Sequence, residues 1–353
     1  MADEQAGSAF QFHGSWREFA PIAFTNLLLI IVTLGIYRFW AKTRERRYLW
    51  SRTDFIGDPL EWTGTGKELF IGFLLVALLL FLPIAVLQFV VQGLVVRGHV
   101  GGAVLLSMVA YVALIYLYGL ARYRTLRYRL SRTLWHGIRG GSDDQGWGYA
   151  LTALWRTALG IFILGVLMPW SMTSLWNERW NRLSFGSNAF AANASWRPII
   201  GRFLLFYLLP IVGCVGGIAA VGGAVAGGGP PTPETFVMIF LGALAVYFTM
   251  GIIAILYYAA FLREAIGALT LDKIGFAFTA RSVDWFKFIF GTIALVIVTL
   301  GIAMIFLGYR NWAFFIRHLE ATGEVTLADL TQSTTAMPTQ GEGLLDAFDV
   351  GAF

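Results

Sequence analysis

Apolar and polar positions alternate along the chain in blocks. Uncharged apolar windows run from Leu69 to Val91, Val100 to Ala121, Ile199 to Val225 (interrupted by Arg202), Phe236 to Leu262 and Phe288 to Leu307. Each reaches the roughly 18 or more residues that cross a bilayer as a helix. Two further apolar segments, 19–40 and 150–175, bring the number to seven. Between the blocks lie short stretches with the period of two that marks a half-buried strand. Phe10-Gln-Phe-His-Gly and Leu60-Glu-Trp62-Thr-Gly64 alternate in this way, and 182–190 and 269–278 have hairpin character. Asp58-Pro59 marks a turn within 53–64. Ser15-Trp-Arg-Glu18 and Thr65-Gly-Lys-Glu68 each predict a capping box opening the helix that follows.

The blocks recur. Phe10, Phe12, Glu18 and Phe19 correspond at one gap-free offset to Phe276, Phe278, Asp284 and Trp285, and Thr33-Leu34-Gly35 to Thr299-Leu300-Gly301. A third, weaker copy keeps Leu164-Gly165 and the tail Trp176-Asn-Glu-Arg-Trp180. At another constant offset, Arg47-Tyr48-Leu-Trp-Ser-Arg52-Thr matches Arg127-Tyr128-Arg-Leu-Ser-Arg132-Thr. Internal repetition organises the chain. The sequence predicts an α-helical multi-pass membrane protein built from internal repeats, with short β-hairpin units on the cytoplasmic side. One membrane domain, 1–318, holds repeat-related segments at 19–40, 150–175 and 286–308. Helix pairs occupy 69–121 and 199–262, and soluble units 41–68, 122–149, 176–198 and 263–285. Residues 319–353 lose the apolar pattern and form a C-terminal tail, whose end carries Leu344, Leu345, Phe348, Val350 and Phe353 with Asp346 and Asp349. That end is expected to dock onto the soluble units. Gly213, Gly216, Gly217, Gly222 and Gly223 offer small faces for helix packing.

Composition agrees with the membrane reading. Hydrophobic residues make up 57% of 353 and charged residues 13%, against roughly a quarter charged in average proteins. The mean hydropathy is +0.67. Residues 1–18 lack the apolar core of a cleavable signal peptide. The single Cys214 excludes an internal disulfide and most cysteine metal sites.

Charge distribution separates two topologies. If all seven segments span, basic residues divide with only a modest bias. If the three Thr-Leu-Gly-type segments enter the membrane and return, the basic loops share one side, with Arg97 alone opposite. Lysine and arginine mark the cytoplasmic side, so the second topology is favoured and places the C-terminus in the cytoplasm. The short stretch between Arg156 and Trp170 supports it, while the long Phe288–Leu307 segment argues for a span.

The net charge of +5 (pI about 9.4) comes mostly from arginines beside aromatic residues. This suits membrane-interface anchoring and not nucleic-acid binding. The clusters Arg38, Trp40, Arg46, Arg47, Tyr48 and Arg122, Tyr123, Arg124, Arg127, Tyr128 have that plain explanation. The sharper reading is recognition of anionic lipid headgroups by Arg47, Arg52, Arg127, Arg132, Tyr48 and Tyr128, which share one spacing in two units. Pairing of these arginines with Asp54, Asp58 or Glu61 would explain the same spacing. Of the intramembrane polar residues, Asn26 and Arg156 are the candidates for a functional site. Gln88, Gln92, Arg202, Arg263 and Glu264 lie near segment ends, where snorkelling accounts for them. No carboxylate lies at mid-membrane depth to serve as a proton relay. Gly64-Thr-Gly-Lys67 fails as a phosphate loop because Glu61 stands where that motif needs glycine.

The run Thr33-Leu-Gly-Ile-Tyr-Arg-Phe-Trp-Ala-Lys42, with Arg-Arg-Tyr-Leu after it, resembles the uncharacterised bacterial inner-membrane family typified by YjgN. So do Arg132-Thr-Leu-Trp-His-Gly-Ile-Arg139 and the closing Asp346-Ala-Phe-Asp-Val-Gly351. The resemblance implies a multi-pass protein of the bacterial cytoplasmic membrane and carries no catalytic residues. The expectation is therefore a non-enzymatic protein, without cofactor or metal, that binds or moves a lipid or small solute at the cytoplasmic face. The alternative is a structural or partner-binding membrane subunit. Membrane lipids are the expected partners, and self-association stays open.

Overall fold

The structure is a computed structural model that describes residues 9–226, 232–323 and 331–338. Among the described residues, four helical stretches are long and apolar enough to cross a bilayer: Gly66–Val96, Val100–Arg132, Arg197–Gly223 and Pro233–Gly267. The first begins as α3 (Gly66–Val76), passes through a wide turn at Ala77–Phe81, and continues as α4 (Leu82–Val96). Pro83 explains the wide turn, since a proline cannot donate to the carbonyl four residues back and its ring crowds that carbonyl. The next, α5 (Val100–Arg132), returns antiparallel, so Thr63 N–H reaches Arg132 O at 2.9 Å. The second long pair, α8 (Arg197–Ala226) and α9 (Pro233–Gly267), closes in the same way through Asn193 N–H to Ala268 O at 3.0 Å. Of the five glycines expected to pack helices, Gly213 alone is close enough that a Cβ would be crowded, by Val246 of α9; the other four face open space.

The three Thr-Leu-Gly-type segments are not continuous helices. Each is a helix, a turn and a returning helix: α1 (Trp16–Val32) with α2 (Arg38–Ser51), α6 (Trp147–Phe162) with α7 (Met168–Trp180), and α10 (Ser282–Val298) with α11 (Leu307–His318). A short 3-10 turn, Ile302–Phe306, precedes α11. The break comes from the leucine of the motif. Leu34, Leu164 and Leu300 all take the left-handed conformation, with φ of 50°, 48° and 50°. The following Gly35, Gly165 and Gly301 also have positive φ, which a residue without Cβ adopts freely. In the outer two hairpins this forms the paired hydrogen bonds of a left-handed helix stop: Gly35 N–H to Ile30 O and Leu34 N–H to Ile31 O, then Gly301 N–H to Val296 O and Leu300 N–H to Ile297 O. The threonine completes the stop. Thr33 Oγ1 donates to Leu29 O and accepts from Tyr37 N–H, and Thr299 does the same with Leu295 and Ala303.

All helical hairpins start and finish on one layer of strands. β4 (Glu61–Trp62), β5 (Thr133–Trp135), β6 (Ile138–Gly141), β7 (Ser184–Phe185), β8 (Asn188–Ala192), β9 (Leu269–Leu271), β10 (Ile274–Phe278) and β11 (Leu319–Thr322) form an antiparallel half-barrel in that order. A three-stranded sheet of β1 (Phe10–Phe12), β2 (Thr53–Phe55) and β3 (Asp58–Pro59) stands beside it, with Phe10 6.5 Å from Phe276 between ring centres. Two-residue turns set the register: Ile56-Gly57 and His136-Gly137 have positive φ at both positions, the requirement of the tight hairpin turn that matches strand twist.

Three local expectations change. The turn lies at Ile56-Gly57, and Asp58-Pro59 forms β3; Pro59 is tolerated because β3 is an outer strand that pairs with β2 alone. The capping box at Thr65–Glu68 is complete, whereas at Ser15 only one half forms, because the Glu18 carboxylate is taken by Tyr48 and Arg52. The segment assigned to a tail from 319 begins with β11, paired to β10 from Leu319↔Phe278 to Thr322↔Gly275. Leu344 to Phe353 lie outside the described residues.

The inner face of the strands and the helix ends above it share one core. Tyr123, Trp135, Tyr149, Leu183, Ile199 and Tyr257 are almost wholly buried there. Burying such a side chain stabilises by roughly 1.5–3 kcal/mol, and three indole N–H groups find acceptors, whereas those of Trp176, Trp180 and Trp285 do not. Trp135 Nε1 donates to Phe55 O (2.8 Å), Trp50 Nε1 to Thr133 Oγ1 (2.9 Å) and Trp312 Nε1 to Thr53 Oγ1 (2.8 Å).

Candidate functional site

The candidate lipid contacts do not converge on one site. Tyr48 Oη lies 3.0 Å from Ser15 O and 3.3 Å from Glu18, and Arg52 binds Glu18 at 3.1 Å. Tyr128 Oη donates to Glu68 at 2.6 Å, and Arg132 binds Glu68 at 2.9 Å. In both units a tyrosine and an arginine from the end of a returning helix clamp the glutamate in the first turn of an outgoing helix. This clamp accounts for the shared spacing. Its acceptors are Glu18 and Glu68, while Asp54 and Asp58 engage His13 (3.0 Å) and His136 (2.8 Å) instead. Burial pushes the Tyr48 hydroxyl up, an effect that the bond to the Ser15 backbone opposes and the Glu18 charge reinforces. Arg47 is exposed and Arg127 buried, so the two matched arginines occupy different surroundings.

Asn26 and Arg156 occupy one structural position, eight residues before the left-handed leucine, and Thr292 holds it in the third hairpin. Each crosses to the returning helix. Asn26 Nδ2 donates to Ala41 O (3.3 Å), Arg156 Nη1 to Ser174 O (3.0 Å), and Thr292 Oγ1 accepts from Arg310 Nη2 (3.1 Å). Arg156 also binds Glu178 at 3.5 Å, and Glu178 continues through Arg182 to Asp144. Burial opposes ionisation of Asp144, but the Gly146 N–H and Arg182 outweigh it and hold the carboxyl below its usual range. Burial likewise opposes the charge on Arg182, and its two carboxylate partners raise it above its ordinary value. These groups tie the two arms of each hairpin together.

A different group of residues surrounds open space. A cavity of about 450 Å³ lies between the half-barrel and the ends of α2, α5, α7 and α11, within the range of small-molecule sites. Five tryptophans line it: Trp50, Trp135, Trp176, Trp180 and Trp312. Phe55, Phe190 and Phe276 add aromatic wall from the strands. Four arginines reach it, Arg46 from α2, Arg122 and Arg129 from α5, and Arg179 from α7, against the acidic Glu45 and Asp272. Arg46 lies over Trp62 (4.9 Å to the ring centre) and Arg179 over Trp176 (5.5 Å). Stacking of this kind favours guanidinium groups in an aromatic wall.

Arg179 is the unusual member. It is 6% exposed, its Nε finds no acceptor, and among the described residues no carboxylate pairs with it. Burial lowers its pKa to about 10, and Arg122 and Arg129 press in the same direction. A buried cation without a counter-charge is costly, and an anion entering the cavity would relieve that cost. Arg46 and Arg122 stand in the sequence within clusters explained as interface anchors. Arg129 and Arg179 carry no such signal; only the aromatic-basic run Trp176–Trp180 hints at Arg179, and the arginine cluster needs α2, α5 and α7 folded together.

The comparisons agree with the architecture and stop short of chemistry. Residues 7–347 match the family described as "Bacterial protein of unknown function (DUF898)". The chain is 29% identical over 157 residues to "Inner membrane protein YjgN" of Salmonella typhimurium, covering 43% of this chain and 37% of that protein. It is 28% identical over 197 residues to the protein of the same name from Escherichia coli K12, covering 56% and 43%. The matches thus span less than half the length of these curated relatives. No solved structure matches the chain. A match over nearly the whole chain places this protein in the DUF898 family of bacterial proteins, whose named relatives are inner membrane proteins.

Proposed function

We propose that this protein binds an anionic amphiphile in the cavity beneath the half-barrel, with its acidic headgroup on Arg179 and its neighbours and its apolar part against the tryptophans. The buried Arg179, without a carboxylate partner among the described residues and facing an aromatic cavity, carries this reading. Arginine suits a phosphate or carboxylate headgroup through two-pronged hydrogen bonding. The aromatic walls suit an acyl or other apolar portion. The role is one of binding or handing over a lipid, without a catalysed step.

The membrane arrangement belongs to the same proposal. The three Leu-Gly hairpins are re-entrant elements of one internally repeated unit, dipping into the bilayer from the cytoplasmic side. Their tips support this: Leu34, Leu164 and Leu300 are 93%, 86% and 94% exposed, an arrangement that hydrocarbon favours and water does not. The outgoing helix α1 has 17 residues, about 25 Å of rise, which is less than the roughly 30 Å hydrocarbon core. The half-barrel and the C-terminus then lie in the cytoplasm, where the basic loops belong.

Native mass spectrometry of the detergent-purified protein tests the binding site. Wild type and the Arg47→Gln control, altered at an exposed position, are expected to retain an anionic lipid or fatty-acid adduct. Arg179→Gln is expected to lose most of it, by about tenfold or more, as removal of a charge-assisted bond of roughly 1.5–3 kcal/mol requires. An adduct equally abundant in folded Arg179→Gln would overturn the proposal.

A further inference from the structure

The returning helix of the first hairpin carries a row of cations that the other two hairpins lack. Arg38, Lys42 and Arg46 stand four, eight and twelve residues after the left-handed Leu34, so they share one face of α2 at intervals of roughly 6 Å. The second hairpin holds Met168, Met172 and Trp176 at those positions, and the third holds Met304, Gly308 and Trp312. The hairpin architecture therefore does not require the row. Its membrane end is fixed by Trp40, against which Gly66 at the start of α3 packs so closely that a Cβ there would overlap the tryptophan. The uncharged window of α3 begins at Leu69. Arg38 and Lys42 thus stand where α3 meets the bilayer surface, where cations attract anionic headgroups, and Arg46 stands one turn further from it.

The row runs along two spaces. Lys42 and Arg46 line the arginine cavity. Arg38 and Lys42 line a smaller cleft of about 180 Å³, bounded by Ile30 of α1 and Leu69 of α3. At the roughly 30 Å³ that a water claims, the cleft has room for about six atoms, the bulk of a phosphate group. Lys42 and Glu45 line both spaces, so their ion pair (3.8 Å) stands between them. Gly308 of α11 leaves room for the Glu45 carboxylate there, since a Cβ at that position would collide with it. Resting on the amphiphile reading above, we propose that this cleft is a second site for the same ligand. It holds the phosphate of an anionic lipid of the cytoplasmic leaflet on Arg38 and Lys42, and passes it by the Lys42–Glu45 pair to the arginine cavity.

Photocrosslinking of the full chain in nanodiscs tests the cleft. p-Benzoylphenylalanine replaces either Ile31, exposed next to Ile30, or Ile297, its exposed counterpart in the third hairpin. The bilayer is phosphatidylcholine with a minority of phosphatidylglycerol. Crosslinks at 31 are expected to favour phosphatidylglycerol by about fivefold over its share, as roughly 1 kcal/mol per cation implies, while those at 297 follow the bulk ratio. Arg38→Gln should abolish the preference, and Arg44→Gln, exposed on another face of α2, should keep it. Equal ratios at 31 and 297, or a preference that survives Arg38→Gln, would overturn the site. Loss of the preference on adding inorganic phosphate at constant ionic strength would assign the cleft to a free anion and overturn the lipid. Transfer is read by native mass spectrometry. Delipidated Arg38→Gln should regain the cavity adduct from phosphatidylglycerol vesicles about fivefold more slowly than Arg44→Gln, and equal rates would overturn transfer. Failure of the amphiphile reading shows separately, as an adduct retained in Arg179→Gln whatever is found at position 31.

Discussion

Single residues show how often one side chain closes a hairpin here. Asp144 accepts from Gly146 N–H at 2.7 Å and from Arg182, while Arg182 also binds Glu178. The start of α6 is thereby fixed to the end of α7. Because the folded state holds the Asp144 carboxyl below its usual range, the stabilisation is fully present above the unfolded carboxyl's titration. It is lost as pH falls through the lower folded value. Asp144→Asn should therefore destabilise by roughly 1 kcal/mol near neutral pH. The difference from wild type should shrink towards zero as pH falls through the acidic range. Thermal melting across that range measures it, and a deficit independent of pH would assign the cost to packing. Residues of this kind were only half legible in the sequence. The spacing of Tyr48 and Arg52 against Tyr128 and Arg132 is visible at once. Their partners Glu18 and Glu68 stand on other helices, so the pairing depends on the fold returning each helix to its start.

At the scale of elements, the Leu-Gly hairpins place a bulky residue in a conformation that costs roughly 1–2 kcal/mol. The outer two offset this with a threonine that caps in both directions, at Thr33 and Thr299. The middle hairpin has Ile163 at that position. Ile163→Thr should supply the missing acceptor for the Leu167 N–H and raise stability by about 1 kcal/mol, while Thr33→Val should lower it by a similar amount. Melting temperatures that move in the same direction for both would contradict this capping role. The sequence marks these segments by their Thr-Leu-Gly signature, and the apolar length of Phe288–Leu307 alone suggests a span. The turn decides against one continuous helix, because two successive left-handed residues reverse the chain whatever the hydropathy on either side. The strands were legible through alternation. Their joining into one half-barrel was not, because β6 meets β7 and β8 meets β9 across helices of up to 35 residues.

For the whole molecule, the consequence is that every helical pair leaves the strand layer and comes back to it. Tyr48 rests on Ser15 across one hairpin, and Thr279 N–H meets His318 O at 2.9 Å across another. A cavity whose walls come from α2, α5, α7, α11 and the strands can exist only if all those returns happen on one side. The topology and the site stand or fall together. Single cysteines at Ser51, His136, Ser187 and Thr279, all exposed ends or turns of the strand layer, report on that side, and one at His99 reports on the opposite end. In a Cys214→Ala background, a membrane-impermeant maleimide applied to intact cells and to inverted vesicles gives the decision. The first four positions should react only from the cytoplasmic side and position 99 only from outside. Reaction of positions 187 and 279 from outside, with position 51 protected there, would establish seven crossings and contradict the one-sided arrangement.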